Sequence, residues 1–345
     1  MNTFIRANIK SSQQIWRALG FLVLALLFNS LEDAQNQSSV AAAFAKPSPQ
    51  QTTALSLEMI VFNSNRTGND EIYLMNADGS DQRALTNDKR FDSWWGRISP
   101  DRRQILFYRT PKGVHDDDYS QNSLWVMNAD GLAQRELRPA GTDGWIIQGH
   151  AEWSPDGKSL VMFGGKGWKS AQIYVTTNAG QEPRRLTNGK GSFIDPSWSP
   201  DGKTIVFTGC LPENCSQKEL EVYTIAVSGS GPAKRLTNDS IPDYDPYYSP
   251  DGKMIGWLSR TADSGSEGVW GMRLAAADGS EMRYVINDGN VNGKPEWSRN
   301  GKLIYFHRLI YGKSPYYSIW VISPNGQGLK KLTAGLGGHD EYPSS

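Results

Sequence analysis

The chain has no surplus of charge of one sign: among its 345 residues, 36 Lys and Arg stand against 36 Asp and Glu. Nucleic-acid binders ordinarily carry a clear basic excess, so that class is set aside. Cysteine is nearly absent, with Cys210 and Cys215 alone. Two thiols with no third or fourth soft ligand nearby do not make a structural zinc site. Histidine is scarce, with four residues whose spacing demands no site. Gly-x-Ser-x-Gly does not occur, which removes the nucleophile elbow of an α/β-hydrolase. Helical periodicity is missing from everything after the first fifty or so residues.

Glycine is abundant at 35 residues, with 12 Trp and 14 Tyr. Such a mix suits many short strands joined by tight turns. The amino terminus reads differently. Arg6, Lys10 and Arg17 precede an apolar run from Ala18 to Phe28, with no acid before Glu32. That run fits a signal-peptide core and falls short of the roughly 20 residues of a bilayer-spanning helix. Ala43-Phe44-Ala45 offers a cleavage site. Residues 1–45 are therefore expected to be a signal peptide, or an N-terminal anchor if uncleaved, and residues 46–56 a Pro/Gln/Ser/Thr-rich linker. The expected location is the periplasm or another extracytoplasmic space. There, Cys210 and Cys215 are expected to form a disulfide closing one short loop, contributing roughly 2 kcal/mol.

From Leu57 onward the chain repeats. An aromatic followed by Ser-Pro-Asp-Gly-Lys stands at Trp153–Lys158, Trp198–Lys203 and Tyr248–Lys253, with weaker copies at Ile98–Arg102 and Trp297–Lys302. Each copy leads into a β-rich run, a loop, a strand such as Ile72-Tyr73-Leu74-Met75, an Ala-Asp-Gly-type turn and a short basic strand. The closing residues Leu85, Leu137, Leu186, Leu236, Val285 and Leu332 recur at intervals of 52, 49, 50, 49 and 47. Four strands per unit and six units predict an all-β, six-bladed propeller over residues 57–345. Proline fixes the first corner of each turn, and Asp-Gly supplies a polar cap and a left-handed residue. Trp125, Trp153, Trp198, Trp270, Trp297 and Trp320 fall on regular strand positions and are expected in the core.

The first unit lacks its opening strand, while the chain ends in Asp340-Glu341-Tyr342-Pro343-Ser344, which is similar to Asp195-Pro196-Ser197. The C-terminal segment should therefore supply the innermost strand of the first blade and remove a free sheet edge.

The Asp-x-x-Pro-x-Trp-Ser-Pro-Asp-Gly-Lys unit, with Ile-Tyr-x-Met-Asn-Ala-Asp-Gly and Arg-x-Leu-Thr, resembles the propeller repeat of TolB and its relatives. The resemblance covers about residues 57–345 and is specific for fold. It implies a binding propeller with a partner at its mouth. The α/β domain that precedes the propeller in TolB has no counterpart before residue 57, where a leader and a linker are read.

Function is expected on the face built from the long, dissimilar loops that enter each first strand and link the second strand to the third. Trp94, Trp95, Trp145 and Tyr244 are read as exposed contacts there, with Arg260, Lys294 and Asp340 setting orientation. Of the adjacent pair Trp94 and Trp95, one is expected inward and one outward. The partner is expected to be a protein or glycan of the cell envelope, the chain a monomer, and no cofactor is implied. A metal could be held by His150, His339, Asp195 and Asp340. The second reading is a metal-assisted lyase or hydrolase of an acidic polysaccharide, as in the uronate lyases built on similar propellers. It would use His150, His307 and His339 as ligands and Lys294 or Arg260 for a carboxylate.

Overall fold

The computed structural model describes residues 58–345 apart from 116, 212–218, 230, 240, 263–267 and 335–336. The leader, the linker and Cys215 lie outside the described residues. The strands form six antiparallel sheets of four strands each, the six-bladed propeller that the repeat predicts. In blades 2 to 6 consecutive strands lie side by side. Blade 1 is composite: Asp340–Ser344 pairs with Met59–Ser64, which pairs with Glu71–Asn76 and then Arg83–Ala84.

The repeat's residues have identifiable duties. In each Ser-Pro-Asp-Gly turn the serine hydroxyl donates to the aspartate, as Ser154 does to Asp156 at 2.6 Å, and the aspartate accepts the lysine N–H. Gly157 takes φ +69 and faces Pro100 of the preceding blade; Gly202 repeats this against Pro155. The turns thus stitch neighbouring blades together while closing hairpins. The threonine of Arg-x-Leu-Thr accepts the N–H of the third strand, Thr86 from Ile72 at 2.9 Å and Thr237 from Val222 at 2.9 Å. Between blades the apolar faces of the strands are fully buried: Phe62, Phe107, Phe163, Phe207 and Phe306 expose nothing. Among the expected core tryptophans, Trp153, Trp270 and Trp297 are buried, and Trp125, Trp198 and Trp320 are partly so. Among the described residues, no helix is long and apolar enough to cross a membrane.

Candidate functional site

Every innermost strand carries a β-bulge at the same repeat position. The bulged residues are Trp95, His150, Asp195, Asp245, Lys294 and Tyr342, all non-glycine with φ between +41 and +55. A left-handed conformation costs a non-glycine residue roughly 1 kcal/mol or more, so its recurrence around the ring marks a built feature. The bulge turns six side chains of five kinds toward one another at the propeller's centre.

These side chains interlock. The Trp95 indole lies flat on the His150 imidazole, centroids 3.9 Å apart, and Tyr342 closes on it at 5.2 Å. His150 Nδ1 is 2.5 Å from Asp195 Oδ1, and its Nε2 is 2.9 Å from the Tyr119 hydroxyl. Asp245 completes the group: His150, Asp195 and Asp245 each offer a ligand atom within 4.8 Å of the others. Burial, and then the charge of Asp195, pushes the Asp245 carboxyl up to about 6.

Two residues further along, four of the six strands contribute to a second layer, through Arg97, Glu152, Tyr247 and Glu296. Arg97 Nε meets Glu152 Oε1 at 2.6 Å, and the Tyr247 hydroxyl donates to the same carboxylate. Lys294 Nζ stands 3.4 Å from Glu296, 3.7 Å from Glu152 and 3.3 Å from the centre of the Tyr247 ring. Burial is the main cause that pushes Lys294 down to about 8 and Glu296 up to about 7. Opposite charges therefore neutralise one another around the axis. Such a network fixes rotamers and suits a rigid frame more than a reacting centre.

The expected contact residues are corrected by this arrangement. Trp94 and Trp95 belong to the strand Phe91–Ile98 and Tyr244 to Asp243–Tyr248, so neither segment is an irregular loop. Trp94, Trp95, Trp145, Tyr244, Lys294 and Asp340 are all buried. No member of the Trp94–Trp95 pair faces out, because this innermost strand is covered by blade 1 on one side and blade 3 on the other, and the bulge between Trp94 and Arg97 turns Trp95 to the axis. Trp94 packs on Tyr108 and His115 while Trp95 packs on the axis. Asp340 is paired with Arg66 at 2.6 Å. Arg260 is half-buried near the loop-side end of its strand.

The expected metal set also separates. His150 and Asp195 meet, but His339 Nδ1 accepts the Tyr317 N–H at 3.2 Å and Asp340 is held by Arg66. His307, expected as a lyase ligand, accepts the Tyr342 N–H through Nδ1 at 3.1 Å and lies against Gly293. Cys210 is disulfide-bonded at the end of Thr204–Cys210.

The open part of the loop-rich face lies elsewhere, over blades 3 and 4. A hollow of about 700 Å³ is bordered by Trp145, Tyr174, Lys166, Lys169, Arg185 and Lys190. Among the described residues its one carboxylate, Asp143, is already paired with Arg138 at 2.5 Å. Trp145 is packed between the Arg138 guanidinium and the tilted Tyr174 ring, so only its margin reaches the hollow. Beside it, Trp168 is 43% exposed, Ile146 53% and Leu211 50%. On the opposite face, a smaller hollow of about 200 Å³ among Pro100, Trp198, Tyr247 and Glu296 reaches the second charged layer. The sequence reading missed Arg97, Glu152, Tyr247 and Glu296, which a comparison of the repeat two residues past each bulge would have singled out. It also missed the four cations around the hollow.

No protein-family model matches the sequence. Among solved structures, TolB of Acinetobacter baumannii superposes with a TM-score of 0.66 at 18% identity, over 83% of this chain and 66% of that one. The chain thus spans about two thirds of that protein's length. A protein of Agrobacterium tumefaciens bearing the TolB name gives 0.59 at 19%, over 80% and 89%. Oligogalacturonate lyase of Vibrio parahaemolyticus gives 0.51 at 14%, over 79% and 73%. At such identities the likeness is one of fold. In fold, this chain is a TolB-like six-bladed β-propeller.

Proposed function

We propose that the chain is a non-catalytic, extracytoplasmic binding module that takes a protein or glycan partner on its loop-rich face. The observation that carries this reading is the patch over blades 3 and 4. Trp168, Ile146 and Leu211 stand out of the surface beside a hollow bordered by Lys166, Lys169, Arg185 and Lys190. Exposed aromatics with flanking cations supply contact area and orientation together, and apolar groups grouped on one face mark interaction sites. Among the residues first expected as contacts, Trp145 borders this hollow, and Arg260, on blade 5, is kept as a proposed contact outside it. Trp94, Trp95, Tyr244, Lys294 and Asp340 are assigned to the frame. The leader-like amino terminus supports the extracytoplasmic location, and TolB-like folds support binding.

The second reading, a metal-assisted lyase or hydrolase of an acidic polysaccharide, draws on the convergence of His150, Asp195 and Asp245. One experiment separates the two. A photo-crosslinker placed at position 168 is compared with one at Lys203 on the turn face, in envelope extract, while the same protein is assayed for unsaturated products from polygalacturonate. A partner captured at position 168 alone, without turnover, supports the binding module. Turnover that His150→Ala abolishes would replace it with the lyase.

A further inference from the structure

We infer that a divalent first-row metal ion binds where the ring closes, held by Asp70, His115 and Glu341 with the Asn63 amide as fourth donor. The three titratable side chains are buried, and each offers a ligand atom within 4.8 Å of the other two. His115 Nε2 stands 3.6 Å from Asp70 Oδ1. Neighbouring donors around an ion bound at ~2.1 Å lie about 3.4 Å apart in a tetrahedral shell, so this spacing fits.

Asn63 is the independent observation. Its side chain is fully buried, its amide nitrogen lies 3.3 Å from Asp70 Oδ1, and its oxygen has no hydrogen-bond partner among the described residues. The two ends of a carboxamide are distinguished only by their partners. Turned over, the amide presents its oxygen at that same 3.3 Å from Asp70 Oδ1, as an adjacent ligand would. Asn63 also lies directly across from Glu341 in the paired strands, which puts both side chains on one side of the sheet.

Three separate segments deliver these donors. Asp70 ends the turn between Met59–Ser64 and Glu71–Asn76, His115 follows Gln104–Pro111 of blade 2, and Glu341 lies on the closing strand. Asp92 ties two of them together, accepting the Asp70 N–H at 3.1 Å and the Gly113 N–H at 2.6 Å. Trp94 stacks on His115 at 5.0 Å and gives the site an apolar wall. His115 itself is held at φ +44, a conformation that its surroundings must impose. Metal-ligating histidines are oriented by shells of this kind.

One imidazole, two carboxylates and a carboxamide oxygen suit Zn²⁺ or Mn²⁺ better than Ca²⁺, which prefers oxygen alone. The ion's charge balances the two carboxylates. Because the donors come from blade 1, blade 2 and the closing strand, the ion acts as a clip on ring closure. The site shares no residue with the axial His150 group or with the patch over blades 3 and 4, so it stands apart from the binding function.

The test uses untagged protein stripped with EDTA, then dialysed against ZnCl₂ or MnCl₂, with metal content and thermal unfolding measured together. One ion per chain should remain, and the unfolding midpoint should rise with free ion concentration. Both effects should vanish in the near-isosteric Asp70→Asn and in His115→Ala, and persist in His150→Ala. If His115→Ala fails to fold, His115→Gln replaces it, and the visible absorption of a Co²⁺-loaded sample reports loss of the imidazole. A midpoint indifferent to EDTA and to both ions overturns the inference. So does an ion that stays without His115, or one that leaves with His150.

Discussion

Arg66 holds Asp340 at 2.6 Å across 274 residues of sequence, and this contact fastens the last strand of the chain to the first. The Asp340 side chain is wholly buried, while the Arg66 guanidinium also reaches Ser64 and Gln82 and lies over the Tyr73 ring at 4.8 Å. The pair therefore belongs to blade 1 as much as any of its ladder hydrogen bonds.

Breaking that pair should be costly. Asp340→Ala leaves an arginine without its buried partner, a loss of about 3 kcal/mol. Removing Asp340–Ser345 altogether should lower the stability of the whole ring in a single cooperative transition. Urea unfolding followed by tryptophan fluorescence checks both. A truncated chain that melts like the parent would show that blade 1 does not need its closing strand.

Lys294 offers a contrast between frame and contact surface. Lys294→Met removes the cation beside Glu296 and leaves Glu152 with Arg97 alone. A destabilisation of about 3 kcal/mol is expected, with partner affinity of the folded fraction unchanged. Trp95→Ala should behave alike, because its ring fills the centre against His150, and opening such a cavity costs about 3 kcal/mol or more. Loss of affinity without loss of stability in either variant would restore these residues to the binding surface.

Stability should also fall on the alkaline side of its optimum. Burial raises the Asp243 carboxyl to about 7, against roughly 3.9 in an unfolded chain. Between those values the folded state binds the extra proton, so stability declines as pH rises from about 4 to 7 and levels off above. Asp243→Asn keeps an acceptor for the Ser259 hydroxyl, now 2.5 Å away. It should flatten the decline, gaining roughly 2–4 kcal/mol on the parent between pH 4 and pH 8. Glu296 and Asp245, raised by the same burial, leave a residual slope. Parallel profiles for parent and variant would assign Asp243 an ordinary carboxylate pKa.

The patch over blades 3 and 4 makes the opposite prediction. Trp168→Ala removes a side chain that is 43% exposed and rests its inner side on Tyr119 and Phe163, so stability should fall by only about 1 kcal/mol. Affinity for the captured partner should drop by about 2 kcal/mol. Lys166→Ala with Lys169→Ala should weaken binding in a salt-dependent way, while Lys158→Ala and Lys203→Ala on the turn face should not. Isothermal titration at two ionic strengths separates these outcomes.

The number of blades, their order and the closure of the ring are legible in the sequence. Each rests on local chemistry repeated at a fixed interval: a proline corner, an Asp-Gly turn, a threonine that accepts the third strand's N–H. Local rules of this kind need no knowledge of distant residues. The direction of side chains at the bulge was not legible. Alternation along a strand predicts that Trp94 and Trp95 face opposite ways, and one inserted residue cancels that rule. The same bulge gathers Trp95, His150, Asp195, Asp245, Lys294 and Tyr342 at the axis, although they look like unrelated entries in a weak repeat. Asn63, Asp70, His115 and Glu341 carry no motif at all, and only the closing of the ring makes them neighbours. Sequence determined the frame because its signals are periodic and short-range. Tertiary structure decided the axial and ring-closing groups because their residues meet only when the last strand docks beside the first, and it left the patch over blades 3 and 4 open while burying Trp94, Trp95 and Tyr244.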